Sequence, residues 1–223
     1  MSKQKRYLII GVSLIIAFVL WTVLIMTVDV KPVGQNGTDI GFSTVNVWFH
    51  SLTGENMTVY TITDWLGLVP IAVCMGYGLL GLCELIKRKS LFKVDADIIL
   101  LGVYYILVIF GYLIFEMIPI NYRPIPINGY MEASYPSSTT LLVLSVMPTL
   151  IFQTYRRSKN ITLKRAVAAI SVLFSAFMVI GRLTCGVHWL TDIVGSVFLS
   201  FGLFFAYVFC VGLTDAKSQK DKS

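Results

Sequence analysis

Residues 166–213 have the sequence AVAAISVLFSAFMVIGRLTCGVHWLTDIVGSVFLSFGLFFAYVFCVGL, in which two long apolar runs flank a short polar segment. That segment carries Arg182, His188 and Asp192 within eleven positions. Ionisable side chains are costly inside a bilayer, so membrane proteins keep them mainly where they have a function. The segment is therefore a candidate functional site at the junction of two membrane-spanning helices.

The whole chain shares this apolar character. Of its 223 residues, 56% are hydrophobic and 13% are charged, a composition far from that of a soluble protein. Six apolar runs reach or approach the roughly 20 residues that a helix needs to cross the hydrocarbon core. Open strands are excluded because lipid cannot satisfy their backbone groups. We predict an all-α integral membrane protein, a six-transmembrane-helix bundle that forms a single domain over residues 1–223, with spans at 7–28, 66–86, 96–118, 138–155, 166–184 and 193–213.

The basic residues are distributed unevenly between the two sides of this bundle. If six spans alternate, fifteen of the eighteen Lys and Arg residues fall on one side, next to the ends of the spans. Cytoplasmic loops carry such an excess of positive charge. We therefore expect both termini, residues 1–6 and 214–223, to be cytoplasmic in a multi-pass protein of the cell membrane. The net charge of +6 does not indicate nucleic-acid binding, because these charges form collars at the membrane surface and no groove.

Two polar segments lie on the opposite, extracytoplasmic side in this topology. Residues 29–65 form the longest loop, in which Val45, Trp48, Phe49 and Leu52 repeat at helical spacing. Because Trp is enriched at the membrane–water interface, we predict an interfacial helix in this loop. Residues 116–140 form the outer site loop, where prolines at 119, 124 and 126 exclude a continuous helix.

The spacing of His188 and Asp192 suggests a reactive histidine. Residues four apart lie above one another on one face of a helix. A carboxylate in that place can fix the tautomer of the imidazole and stabilise its protonated form. Arg182 adds a planar set of donors that suits a phosphate. The alternative is a cluster of polar helix ends that extend to the membrane surface.

A second phosphate-binding element is predicted in the 116–140 loop. Pro136 precedes Ser137 and Ser138, a pattern typical of a helix N-terminus at which hydroxyls cap free backbone amides. Such a terminus binds anions readily. Arg123 belongs to the same loop. Two arginines, a helix N-terminus and a His–Asp pair on one membrane surface favour a phosphate site over polar helix ends.

This arrangement resembles the type 2 phosphatidic acid phosphatase family of membrane lipid phosphatases. The family has six spans, an outward-facing site and three signatures: Lys-x6-Arg-Pro, Pro-Ser-Gly-His and Ser-Arg-x5-His-x3-Asp. The third signature is met by Arg182, His188 and Asp192, with Gly181 at the position where serine is usual. The order and sidedness of the motifs agree over nearly the whole chain.

The first two signatures are incomplete, so the chain resembles a divergent member of the family. Arg123 and Pro124 are present, but Glu116 occupies the position of the lysine. Pro136 is likewise followed by Ser137, but Thr139 occupies the position of the histidine.

The resemblance implies a role for each matched residue. His188 would attack the phosphorus and form a phosphohistidine, with Asp192 as its orienting group. The phosphate-binding residues would be Arg123, Ser137, Ser138 and Arg182. The family histidine that protonates the leaving oxygen is replaced by Thr139, which cannot donate a proton near neutral pH. No metal and no other cofactor is implied.

Two further ionisable residues near the predicted site need separate interpretation. Glu116 would repel a phosphate if it were ionised and close, so we expect it to pair with Arg123 or with solvent. His50 is the other of the two histidines and lies in the 29–65 loop. It is an alternative donor to the leaving oxygen.

The sequence supports three functions. The first is hydrolysis of a lipid phosphate or diphosphate at the outer membrane surface, with polyprenyl diphosphate favoured because a leaving phosphate needs less protonation than an alkoxide. The second is phosphotransfer between lipids, and the third is binding of lipid phosphates or a membrane partner by an inactive relative. The expected partners are membrane lipids with phosphate head groups, and the sequence indicates no particular protein partner.

Overall fold

Eight α-helices account for most of residues 3–220, the part of the chain that this computed structural model describes. Residues 1–2 and 221–223, which belong to the predicted cytoplasmic termini, lie outside the described residues. The helices are α1 (Lys3–Thr27), α2 (Ser43–Thr53), α3 (Met57–Leu66), α4 (Leu68–Arg88), α5 (Ala96–Met117), α6 (Ser138–Arg157), α7 (Ile161–Thr184) and α8 (Leu190–Lys220).

Six segments of the described chain are long and apolar enough to cross a membrane, which confirms the predicted number of spans. The second span begins earlier than predicted, because α3 and α4 form one 32-residue stretch from Met57 to Arg88. Asn56 starts α3 by accepting a hydrogen bond from the backbone amide of Val59 at 3.0 Å. Polar residues such as Thr63 and Asp64 made α3 resemble a loop in the sequence.

The two ends of the described chain lie at the same end of the bundle. A β-carbon on Gly212, near the end of α8, would lie 1.7 Å from the side-chain nitrogen of Gln4 at the start of α1. At this end, Asp97 of α5 also pairs with Arg156 and Arg157 of α6, at 3.2 and 3.1 Å. These contacts agree with six alternating spans, and the assignment of this end to the cytoplasm stays a prediction.

Helix α8 lies in the middle of the bundle and packs against α1, α5 and α6. Its close approach to α1 depends on a small residue, since a β-carbon on Gly11 would lie 3.0 Å from the backbone nitrogen of Ala206. Small residues allow such close packing between membrane helices. Large apolar side chains fill the core between these helices, among them Phe18, Leu101, Leu141 and Val211.

The predicted helix in the 29–65 loop is present as α2. Trp48 and Leu52 expose 58% and 64% of their surface, whereas Asn46 on the opposite face is buried. The side chain of Asn46 donates a hydrogen bond to Oγ1 of Thr191 at 3.0 Å. This bond fixes α2 over the start of α8. The outward apolar face is typical of an interfacial helix, and its contact with the membrane stays a prediction.

Candidate active site

His188 lies in a short loop between α7 and α8. Gly186 turns the chain there with a φ of 74°, and a β-carbon on it would lie 2.1 Å from the carbonyl oxygen of Gly54. The prediction that His188 and Asp192 share one helix is therefore wrong, since only Asp192 lies on α8. The loop nevertheless brings Nδ1 of His188 to 3.7 Å from Oδ2 of Asp192.

Asp192 is completely buried in the first turn of α8. Its Oδ2 accepts a hydrogen bond from the backbone amide of Trp189 at 2.9 Å, which satisfies one of the free amides at the helix start. The side chain of Asn121 donates to Oδ1 at 3.4 Å. These bonds fix the orientation of the carboxylate beside His188.

Ser134 connects Asp192 with His188. Its hydroxyl donates to Oδ2 of Asp192 and lies 3.1 Å from Nδ1 of His188. Its carbonyl oxygen lies 3.2 Å from the same nitrogen. Because acceptors surround Nδ1, this nitrogen carries the proton of the neutral ring and Nε2 keeps a free lone pair.

His188 lines a small polar cavity of about 160 Å³. Its Nε2 is buried and has no hydrogen-bond partner among the described residues. A buried polar atom without a partner costs free energy, so this nitrogen favours a ligand in the cavity. The other polar residues that line the cavity are Tyr112, Glu116, Arg123, Glu132, Ser134, Tyr135 and Ser138.

The imidazole of His188 is held in its neutral form. Burial disfavours the charged ring and lowers the pKa of His188 from 6.5 to about 4, although the nearby carboxylate of Asp192 acts in the opposite direction. The positive charges of Arg123 and Arg182 lower the pKa further. A neutral ring with a free lone pair is the form that can attack a phosphorus atom.

Arg123 lines the same cavity and is only 8% exposed. Its Nε lies 3.1 Å from Oε2 of Glu132. Its Nη1 is buried and has no hydrogen-bond partner within residues 3–220. Of the two partners expected for Glu116, Arg123 is taken by Glu132, and the exposed position of Glu116 agrees with the other, solvent. Nη1 of Arg123 remains available to an anion.

Ser137 and Ser138 are adjacent in sequence, but only Ser138 lines the polar cavity. Ser138 begins α6 and lines the cavity. Ser137 is completely buried, and its hydroxyl donates to Oγ1 of Thr140 at 3.1 Å. The predicted cap by the Ser137 hydroxyl is wrong, since this side chain bonds no backbone amide at the helix start.

Arg182, at the end of α7, does not line the cavity of His188. Its Nη2 donates to Oγ1 of Thr139 at 2.6 Å and to Oδ1 of Asp64 at 3.4 Å. Its guanidinium group lies over the ring of Tyr60, 4.9 Å from the centroid. Arg182 thus joins α7 to α3 and α6, and its predicted contact with phosphate stays a prediction.

Comparison of the sequence with known protein families assigns the chain to one of them. A sequence model of the PAP2 superfamily matches residues 72–214, a range that includes all of the residues of the site. The chain belongs to the PAP2 superfamily. This membership confirms the resemblance seen in the signatures and assigns the chain to a family of phosphatases.

The fold of the chain is also that of a solved PAP2 protein. The crystal structure of the first transmembrane PAP2 type phosphatidylglycerolphosphate phosphatase from Bacillus subtilis covers 93% of this chain and 96% of its own, with a TM-score of 0.65 and 17% identity. This similarity confirms the predicted membrane fold. No curated protein sequence matches the chain significantly.

The two substituted PAP2 signature positions occupy different places. Glu116 lies in the last turn of α5 and lines the polar cavity with His188. Thr139 lies on α6, accepts the hydrogen bond from Arg182 and lines a second cavity instead. At the position of the PAP2 histidine, the hydroxyl of Thr139 is therefore already bonded to Arg182.

The second cavity is a larger, apolar space of about 490 Å³ between α4, α5 and α6. Tyr112 and Ser138 line both cavities, so the two spaces are adjacent. The apolar walls include Leu68, Ile71, Val108, Ile109, Leu141 and Val146. Such walls suit a hydrocarbon chain, whereas the polar cavity suits a charged head group.

His50 does not line the polar cavity. Its Nε2 lies 3.1 Å from the carbonyl oxygen of Gly186, and its ring packs against Trp189 with 5.7 Å between the centroids. It therefore supports the loop that carries His188. This position argues against His50 as the donor to a leaving oxygen.

Proposed function

We propose that the chain is a lipid phosphatase that hydrolyses a phosphate or diphosphate head group, with His188 as the nucleophile. The observation that carries this proposal is the buried, unpaired Nε2 of His188 in the cavity that also contains Arg123 and Ser138. A neutral imidazole whose far nitrogen is oriented by a carboxylate suits nucleophilic attack. Membership of the PAP2 superfamily supports the same chemistry.

The first chemical step forms a phosphohistidine. The lone pair on Nε2 of His188 attacks the phosphorus, the bond from phosphorus to the leaving oxygen breaks, and the electron pair leaves with that oxygen. The ring keeps its proton on Nδ1 and becomes positive, which Asp192 stabilises directly and through Ser134. The free Nη1 of Arg123 stabilises the negative charge on the phosphoryl oxygens. Water then attacks the phosphorus, the nitrogen–phosphorus bond breaks, and phosphate leaves the neutral ring.

The apolar cavity supports a lipid as the substrate. It adjoins the polar cavity at Tyr112 and Ser138, so one molecule can place its head group beside His188 and its chain between α4 and α5. Burial of a hydrocarbon chain contributes about 0.8 kcal/mol per CH₂ group. A small water-soluble phosphate ester would gain none of this binding energy.

Polyprenyl diphosphate is the favoured substrate in this proposal. The PAP2 histidine that protonates the leaving oxygen is replaced by Thr139, whose hydroxyl accepts a hydrogen bond from Arg182. Loss of a general acid costs about 10²–10⁴ in rate when the leaving group is a poor one. A leaving phosphate needs little protonation, so a diphosphate suffers less from this substitution than a phosphate monoester.

The proposed site faces the extracytoplasmic side of the cell membrane. The support is the charge distribution, since fifteen of the eighteen Lys and Arg residues fall on the opposite side of the predicted topology. Right-side-out vesicles should hydrolyse a short-chain, water-soluble prenyl diphosphate added from outside. Hydrolysis that appears only after detergent opens the vesicles would contradict this orientation.

The central experiment measures phosphate release by the purified protein in detergent from polyprenyl diphosphate, polyprenyl monophosphate, phosphatidic acid and phosphatidylglycerolphosphate. The variants are His188→Ala and, as a matched control, His50→Ala, which removes a histidine outside the polar cavity. We expect His188→Ala to lose at least about 10³ in kcat, because no other side chain replaces a covalent nucleophile. His50→Ala should retain most of the activity.

Three outcomes would contradict parts of the proposal. Faster hydrolysis of phosphatidic acid than of the diphosphate would remove the predicted preference. Equal activity of the wild type and His188→Ala, or none in either, would favour a protein that binds lipid phosphates without turnover. Transfer of labelled phosphate to a second lipid, with none released to water, would indicate a phosphotransferase.

A further inference from the structure

The polar cavity and the apolar cavity meet at two side chains. Within residues 3–220, only Tyr112 and Ser138 line both spaces. Tyr112 belongs to α5 and Ser138 begins α6, so two different helices contribute to this boundary, which we call the junction. A lipid with its chain in the apolar cavity and its terminal phosphate beside His188 must cross the junction.

The part of the lipid that lies at the junction depends on its head group. In a lipid monophosphate, one uncharged ester oxygen joins the chain to the phosphorus that His188 attacks. In a lipid diphosphate, a complete second phosphate, the inner phosphate, takes that place. The inner phosphate is negatively charged, and a charged group that leaves water needs hydrogen-bond donors around it. A diphosphate therefore requires donors at the junction that a monophosphate does not.

Both junction residues carry a hydroxyl group. The Ser138 hydroxyl has no hydrogen-bond partner in the described part of the chain. Ser138 also occupies the position of glycine in the Pro-Ser-Gly-His signature, so this hydroxyl is an addition to the PAP2 pattern. The Tyr112 hydroxyl lies beside the carboxyl of Glu116. Because Glu116 is exposed, water can replace that contact and leave the phenol to donate to a phosphate.

The start of α6 adds a favourable electrostatic environment. Ser138 lies in the first turn of this 20-residue helix, and the Ser137 side chain does not cap it. Free amides and the helix dipole at such a terminus favour negative charge. In the adjoining cavity, the buried Nη1 of Arg123 lacks a partner among the described residues, which independently indicates an anion there. One diphosphate can thus place its outer phosphate near Arg123 and its inner phosphate at the junction.

We propose that Tyr112 and Ser138 bind the inner phosphate of a lipid diphosphate and select diphosphates over monophosphates. This inference rests on the proposed function and names the residues that recognise its favoured substrate. When Nε2 of His188 attacks the outer phosphorus, the bond from that phosphorus to the bridging oxygen breaks. The electron pair stays on this oxygen, which leaves as part of a lipid monophosphate. The two hydroxyls stabilise the inner phosphate by hydrogen bonds and keep their protons, so this role needs no general acid.

The test measures binding in the His188→Ala background, where the nucleophile is absent. Calorimetric titration in detergent gives Kd for a polyprenyl diphosphate and for the monophosphate of the same chain length. We expect Tyr112→Phe to raise Kd for the diphosphate about tenfold, because a hydrogen bond to a charged group is lost. Ser138→Ala should raise it in the same direction. Kd for the monophosphate should change less than about threefold, because its ester oxygen is uncharged.

Tyr105→Phe is the matched control. Tyr105 lines the apolar cavity but not the polar one, and its hydroxyl lies 2.7 Å from Oγ1 of Thr149. This variant also removes a phenol hydroxyl, but it should leave the ratio of the two Kd values unchanged. Thermal unfolding of each variant in detergent identifies any loss of folded protein. With His188 intact, Tyr112→Phe should lower kcat/KM about tenfold for the diphosphate.

The outcomes separate the junction from the reaction. Unchanged Kd values in Tyr112→Phe and Ser138→Ala, or equal changes for both lipids, overturn the role of the junction. That result leaves the phosphohistidine mechanism intact if His188→Ala alone abolishes phosphate release. Absence of phosphate release by the wild type from every lipid overturns the proposed function instead. The binding measurement needs no turnover, so a selective loss of diphosphate affinity still supports the junction in that case.

Discussion

The hydroxyl of Ser134 lies 3.1 Å from Nδ1 of His188. The same hydroxyl donates its proton to Oδ2 of Asp192, whereas the direct distance from His188 to Asp192 is 3.7 Å. Ser134 therefore provides the shorter connection between the imidazole and the carboxylate. It acts through His188 by positioning that ring.

The first prediction concerns this connection. Ser134→Ala removes the hydroxyl and leaves the carbonyl oxygen as the nearest acceptor for Nδ1 of His188. We expect kcat for lipid diphosphate to fall roughly 10- to 100-fold, or about 1.4–2.7 kcal/mol in the transition state, with little change in KM. Ser134→Thr keeps a hydroxyl in the same place and should restore part of the rate. A rise in KM with kcat unchanged would contradict a positioning role.

The second prediction concerns the dependence of stability on pH. The pKa of His188 is lowered from 6.5 to about 4 by burial in the folded protein, so between these pH values the unfolded chain binds a proton that the folded chain does not. The contribution of neutral His188 to the free energy of unfolding is at its maximum above about pH 6.5. It decreases by about 3 kcal/mol as the pH falls toward 4, at 1.36 kcal/mol per pKa unit. Thermal unfolding in detergent from pH 7 to pH 4 measures this decrease.

His188→Asn is the informative variant for this measurement. Asparagine does not titrate, so the variant should lose less stability than the wild type over the same pH range. His50→Asn, which changes the histidine beside Gly186, should retain the steeper wild-type dependence. Equal slopes in the wild type and His188→Asn would show that His188 is not held neutral by the fold.

The number of spans could be predicted from the sequence because it depends on a local property. Each apolar run is long enough to cross the bilayer regardless of the rest of the fold. The apolar face of α2 was likewise visible in Trp48 and Leu52, which recur at helical spacing. Helix α3 was missed because its residues alternate between polar and apolar types, and its polar side chains are satisfied by distant partners such as Arg182.

The arrangement of the site could be predicted only in part. His188 and Asp192 were found because they lie four residues apart. They do not share a helix, however, and the loop before α8 brings them together. Ser134 and Glu132 were missed because their contacts depend on the path of an irregular loop, which no local pattern encodes. A hydroxyl two residues before Pro136 was the one available signal for Ser134.

The third prediction separates the two arginines of the PAP2 signatures. Arg123 has a free Nη1 in the polar cavity, so Arg123→Ala should lower kcat/KM about 10²-fold or more with little loss of stability. Arg182 is 1% exposed and bonded to Thr139 and Asp64. Arg182→Ala should therefore destabilise the fold by roughly 1–3 kcal/mol, because the buried hydroxyl of Thr139 loses its partner.

Unfolding curves and steady-state kinetics, measured on both Arg123→Ala and Arg182→Ala, compare the loss of stability with the loss of activity in each variant. A normal unfolding midpoint for Arg182→Ala with a large rise in KM would place Arg182 in contact with phosphate. That result would support the role implied by the signature and contradict a purely structural role for Arg182.

The fourth prediction concerns the apolar cavity. Ile71→Trp inserts a large side chain into the space of about 490 Å³ between α4, α5 and α6. We expect KM for a long-chain lipid diphosphate to rise about tenfold, which corresponds to the loss of roughly two CH₂ contacts at about 0.8 kcal/mol each. KM for a short-chain, water-soluble diphosphate should change little, since only the polar cavity holds it. Ile16→Trp is the matched control, because Ile16 is 53% exposed on α1 and lines neither cavity. Similar effects of both substitutions on the long-chain substrate would show that the chain lies elsewhere on the membrane-facing surface.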